Sequence, residues 1–165
     1  MHAHHSVNSE FTCTHCRFPV SCDRFQSGVR NRNHCPYCLW SRHLDLNKPG
    51  DRLCACKAGM QPIGLTIKPG HNKYRSGQGG ELMLIHICTG CRKISINRIA
   101  ADDNPSLLLE IFDSSGKLNP SQKNRLSQAG IRLLGLADKK VVYTRLFGRE
   151  GAQSAMVLCL EGGLV

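Results

Sequence analysis

Apolar and polar positions alternate over residues 63–68 near the middle of the chain, and residues 81–87 are almost continuously apolar. Each reads as a short strand, the second bounded by glycine. The stretch from Gly70 to Gly80 between them is polar, basic and glycine-rich, the composition of a flexible hairpin tip. Beyond residue 100 the period changes. Asn104-Pro105 and Asn119-Pro120 read as helix starts, with Asn as cap and Pro at the first helical position. The first helix would carry Leu107, Leu108, Ile111 and Phe112. The second would carry Leu126, Ala129, Leu133 and Leu134 and end near Gly135. Residues 141–147 and 155–160 then read as two strands around a turn over 148–154. The longest apolar runs, such as residues 82–85, are far too short to span a bilayer.

Composition changes this picture at the front. Apolar residues make up 41% of the 165, but ten of them are cysteines. Without those the share falls to about 35%, thin for one sizeable core. Nine of the ten cysteines lie within residues 1–100, so this front half needs a tie other than apolar burial. The first ten residues, with His2, His4 and His5, read as a disordered, solvated leader. They lack the apolar stretch of a signal peptide, which gives the expectation of a cytoplasmic protein. In a reducing compartment, clustered cysteines argue for metal rather than disulfides.

The spacing says which metal. A Cys-x-x-Cys turn brings two thiolates to the roughly 3.8 Å separation that tetrahedral zinc requires, and a second turn completes the site. Cys13/Cys16 and Cys35/Cys38, with 18 residues between them, fit this pattern. Cys35-Pro36-Tyr37-Cys38 also matches a redox tetrapeptide, but its approach is polar and basic where a redox site needs a buried strand. A second site draws on Cys56, Cys88 and Cys91, with either Cys54 or His86 as fourth ligand. Spacing alone also leaves open an interleaved pairing of the knuckles. Cys22 and Cys159 are left over, the latter as a small buried residue in an apolar strand. One zinc ion is expected at the first site and a second near Cys88. The fold class that follows is a small zinc-stabilised β-rich domain, zinc-ribbon-like with two knuckle pairs, over residues 11–104. A small α+β extension over 105–165 follows it.

Arg32-Asn33-His34-Cys35-Pro36 resembles the pentapeptide for which the RNHCP family of small bacterial proteins is named. The likeness runs on through Cys38-Leu39, Ser41-Arg42-His43-Leu44-Asp45, Pro49-Gly50-Asp51-Arg52, Cys56, residues 60–63, His86, Cys88, Cys91 and Asn97-Arg98, covering about residues 10–104. It implies Cys56 and His86 as ligands and carries no established activity. The chain departs from the pattern at Arg92, where glycine is expected after the last cysteine.

Charge points to a partner. Of the net +10, +9 lies in residues 1–100. Two four-thiolate zinc sites would lower the total only to about +6. A basic, cysteine-rich half suits a polyanion, and RNA, on the ribosome or free, is the expected partner. Arg30, Arg32, Arg42, Lys48 and Arg52 flank the second knuckle, interleaved with Tyr37 and Trp40, and Lys73 and Arg75 add a second basic finger. Cations contact phosphate, and an exposed aromatic stacks on an unpaired base. Alternatively, Trp40 packs over the zinc site and the arginines are solvated. Two other functions compete. Asn33, His34, His43, Asp45 and Asp51 supply the residue types of a His-Asn-His nuclease, although the order His43-Leu44-Asp45 differs from the usual one. The other is a zinc module that only binds protein.

Overall fold

The computed structural model describes residues 10–69 and 80–161, with side chains as far as Met156. The expected leader and the loop from Gly70 to Gly80, with Lys73 and Arg75, lie outside the described residues. The exceptions are Glu10 and Gly80, which open strands. The side chain of Cys159 also lies outside them.

The chain begins with an antiparallel hairpin of β1 (Glu10–Thr12) and β2 (Pro19–Ser21), with Phe11 opposite Val20. A single helical turn, α1 (Arg24–Ser27), follows. It starts where Asp23 accepts the Phe25 N–H and stops at Gly28, whose φ of 70° suits glycine. A four-stranded antiparallel sheet in sequence order comes next: β3 (Ser41–Arg42), β4 (Gly59–Pro69), β5 (Gly80–Cys88) and β6 (Ile94–Arg98). A bulge between Pro62 and Gly64 shifts the β4–β5 register, and Gly64 sits against Leu133 where a Cβ would collide.

Sheet side chains project alternately to two faces. Leu65, Leu82 and Leu84 form one core with Leu108 and Phe112, and Ile63, Ile85 and Ile87 form another with Leu126. The helices that cover the sheet are α2 (Pro105–Ser114) and α3 (Pro120–Gln128). Asn104 and Asn119 cap them, the latter in a reciprocal box with Gln122. The expected boundary at 104/105 thus separates two stretches of sequence that share one core.

Two expectations fail beyond residue 128. The second helix ends at Gln128, where Gly130 turns the chain at φ 66° and Ile131 N–H bonds back to Leu126. Leu133 and Leu134 reach the core from extended chain, Leu134 N–H donating to Leu65. The expected strands at 141–147 and 155–160 are instead one helical element, α4 (Lys139–Glu161), broken at Gly148. Val142 and Leu146, four apart, both reach the leucine core, so helical spacing overrides the β propensity of Val141 and Val142. Among the described residues, the extension is helical rather than α+β. No helix there is long and apolar enough to cross a membrane.

Candidate metal centres

Three turns in the front half share one backbone pattern. The N–H four residues after the first cysteine returns to its carbonyl: Arg17 to Cys13, Leu39 to Cys35, and Arg92 to Cys88, at 2.8–3.1 Å. The N–H of each first cysteine then donates to residue 18, 40 or 93. Closing the turn forces a left-handed residue after the second cysteine, with φ of 68° at Arg17, 60° at Leu39 and 63° at Arg92. That position suits glycine, which is why glycine is expected at 92; Arg92 adopts the same left-handed conformation, as Arg17 and Leu39 do.

The first two knuckles face each other. Sulfurs of Cys13 and Cys38 lie 3.6 Å apart, as do those of Cys16 and Cys35, and all four lie within 4.8 Å of one another. Those separations fit tetrahedral thiolate around zinc. Burial, followed by the adjoining thiols, pushes Cys35 up to about 11 and Cys38 higher still. Clustering thiolates here is costly, and a divalent cation offsets that cost.

The second group is His43, Cys56, Cys88 and Cys91. Sulfurs of Cys56 and Cys88 are 3.6 Å apart, and His43 Nδ1 is 3.3 Å from the Cys91 sulfur. The fourth position therefore belongs to His43, and both expected candidates are displaced. Cys54 is buried, its N–H donating to Leu44, outside the group. His86 is a core histidine. Its Nε2 lies 2.7 Å from the Leu39 carbonyl and its Nδ1 2.9 Å from the Asn97 amide. Burial, then neighbouring His34, pushes its pKa down to about 3, so the ring is neutral. Sequence spacing missed His43 because its approach to Cys56 depends on strand pairing. Arg42 lies opposite Gly59, and His43 N–H donates to Ala58. The two groups use successive parts of the chain and do not interleave.

The pentapeptide sends each side chain to a different place. Cys35 joins the first group. Arg32, with a side chain 1% exposed, bonds to Asp102 at 2.7 Å and Asp103 at 3.4 Å. His34 Nε2 lies 2.7 Å from the other oxygen of Asp103, which also accepts the Ala100 N–H. The Asn33 amide donates to Asp45. Arg32 is consequently spent on a buried clasp and is not offered to phosphate.

Two carboxylates organise the loop after β3. Asp45 accepts N–H groups of Gly50 and Arg52, and Asp51 those of Leu46, Asn47, Lys48 and Leu53. At Asp45 burial opposes ionisation, but the Gly50 N–H, Asn33 and Arg52 outweigh it; at Asp51 the backbone donors dominate. Both pKa values fall below the usual carboxylate range. Such carboxylates are weak bases. Asn33, His34, His43, Asp45 and Asp51, the set a nuclease would use, thus all hold structure.

Beside the second group lies a cleft of about 650 Å³, with Arg30, Arg42, Lys48, Lys68, Lys93 and Arg98 in its walls against Asp45 and Glu81. Arg98 pairs with Glu81, Lys93 Nζ bonds the Leu46 carbonyl, and Arg42 Nε bonds that of Lys57. Arg30, Lys48 and Lys68 form no ion pair among the described residues. Arg52 is exposed, 3.9 Å from Asp45, and lines a smaller neighbouring cavity. Trp40 is half-buried, stacked on His15 at 4.1 Å and lying against Gly59, which is the packing alternative. The exposed phenyl and phenol rings among the described residues are Phe25 in α1, with the Arg24 guanidinium over its face, and Phe18 and Tyr37 on the rims of the first two knuckles, the centroids of the latter two 5.4 Å apart.

Comparison with curated proteins and with solved structures finds no match. A family model described as the RNHCP domain matches residues 8–109, more than half of the chain.

Proposed function

From the premise that this chain belongs to the RNHCP domain family, and from its two ligand groups, we propose a non-catalytic, zinc-stabilised module that binds RNA, on the ribosome or free. Zinc at Cys13, Cys16, Cys35 and Cys38, and at His43, Cys56, Cys88 and Cys91, would tie together loops that have little apolar cover. The observation that carries the RNA reading is the cleft beside the second group, whose cations outnumber its acids and include Arg30, Lys48 and Lys68, which have no acidic partner among the described residues. A polyanion is the chemistry such a wall attracts. Phe18 and Tyr37 add exposed faces on which an unpaired base can stack.

The test is binding of a fluorescent single-stranded RNA to the zinc-loaded chain across a salt series, with ribosome sedimentation at low and high salt. The logarithm of affinity should fall linearly with that of salt, by about 0.7 for each phosphate contacted. Absence of binding to RNA and ribosomes at low salt would refute the reading and leave the protein-binding module. Magnesium-dependent cleavage of RNA or plasmid would revive the nuclease.

A further inference from the structure

The second metal group leaves one polar atom unaccounted for. His43 faces the group through Nδ1, while its Nε2 is buried with no hydrogen-bond partner. The other such side-chain atom among the described residues is Oδ1 of Asn33. Leaving a buried polar atom unpaired is costly, so two of them need a cause. Their polarities are complementary. With a cation on Nδ1, the imidazole proton sits on Nε2, which becomes a donor. The Asn33 amide is fixed in the opposite sense. Its Nδ2 donates to Asp45 at 2.9 Å, leaving Oδ1 as acceptor. Both atoms are buried from solvent.

The chain path brings the two residues together. The carbonyl of Asn33 accepts the Ser41 hydroxyl at 2.6 Å, and its amide reaches Asp45. Ser41 and Asp45 stand two residues to either side of His43. At His43 the chain folds back, Leu44 N–H donating to the Arg42 carbonyl at 2.9 Å. Asn33 thus spans the turn whose central residue is His43, and both line the same cleft.

We propose that Asn33 is the positioning residue of the second metal group. In the metal-loaded protein its Oδ1 accepts Nε2–H of His43, and Asp45 holds the amide in place. A carboxylate–amide–imidazole chain then orients the ligand. Ligating histidines are commonly held by an outer partner, whose loss costs about 10–100-fold in metal affinity. The inference does not depend on RNA binding.

The test titrates zinc into the full chain against a chromophoric chelator. Asn33→Ala should weaken the second site about 10–100-fold, leave the first unchanged, and shift the ligand-field bands of the cobalt-loaded protein. The double variant Asn33→Asp with Asp45→Asn keeps an acceptor facing His43 and a partner at position 45, so it should recover most of the loss. In the zinc-loaded parent, the His43 Hε2 proton should exchange slowly and show a nuclear Overhauser effect to the Asn33 amide. Asn33→Ala with lower stability but unmoved zinc affinities and cobalt spectrum would make the residue merely structural. If that variant does not fold, the parent decides: an Hε2 proton exchanging freely with solvent overturns the proposal.

Discussion

Removing Asp103 should damage the protein far more than removing Asp102, although Asp102 makes the shorter bond to Arg32. Asp102 lies 2.7 Å from the guanidinium, but its side chain is 36% exposed, whereas Asp103 is fully buried. Asp103→Ala strips three donors at once: Arg32, His34 and the Ala100 N–H. Breaking a buried pair from one side costs about 3–5 kcal/mol. Arg32 keeps Asp102 and the His34 carbonyl, which puts the expected loss near the lower bound, about 3 kcal/mol. Asp102→Ala removes one screened contact and should cost about 1 kcal/mol or less. Urea unfolding of both variants at saturating zinc, at low and high salt, measures the difference. The Asp102 effect should shrink in salt and the Asp103 effect should not. Equal losses, or a larger one for Asp102→Ala, would refute the reasoning that burial rather than bond length sets the cost.

Elemental analysis of protein purified without added metal should give one to two zinc per chain. His43→Ala should lose the second zinc, while Cys54→Ser and His86→Ala keep it; retention of both metals by His43→Ala would restore one of the displaced candidates. Trp40→Ala should destabilise the fold, by less than the ~3–5 kcal/mol of a fully buried tryptophan because the ring is half-buried, and chelation should change Trp40 fluorescence before the far-ultraviolet helix signal, since α2 and α3 pack on the sheet. Acid should weaken the protein through His86. Its folded pKa of about 3 lies below the unfolded value near 6.5, so the unfolded chain takes up the proton first. Stability from this residue is complete above about 6.5 and falls by about 1.4 kcal/mol per unit toward 3. At saturating zinc, His86→Gln should flatten the stability profile between those values; an unchanged slope would assign the acid sensitivity elsewhere.

The local features were legible where the signal itself is local. Asn104-Pro105 and Asn119-Pro120 start helices because cap and ring geometry act within one turn. The first metal group follows from two Cys-x-x-Cys turns, each closed by its own backbone bonds. His43 was not legible, because its place beside Cys56 depends on how β3 registers against β4. Arg32 was misread for a similar reason. In sequence it reads as a cation offered to phosphate, whereas residues 102 and 103 come back beside it from 70 positions away. In α4, the β-branched pair at 141–142 suggested strand, and only the leucine core shows that the helical face is the one buried.

The sequential order of the two ligand groups has a consequence for how the chain is made. Everything that completes the first group has been synthesised once Cys38 is added, whereas Cys91 follows about fifty residues later. At about 5–20 residues per second, that interval lasts roughly 3–10 s. During it the growing chain can sequester one metal while the thiol of Cys56 still waits for its partners. Had the knuckles interleaved, no site would have been complete at Cys38, and early thiols would have waited longer for their partners, exposed to oxidation and to mispairing.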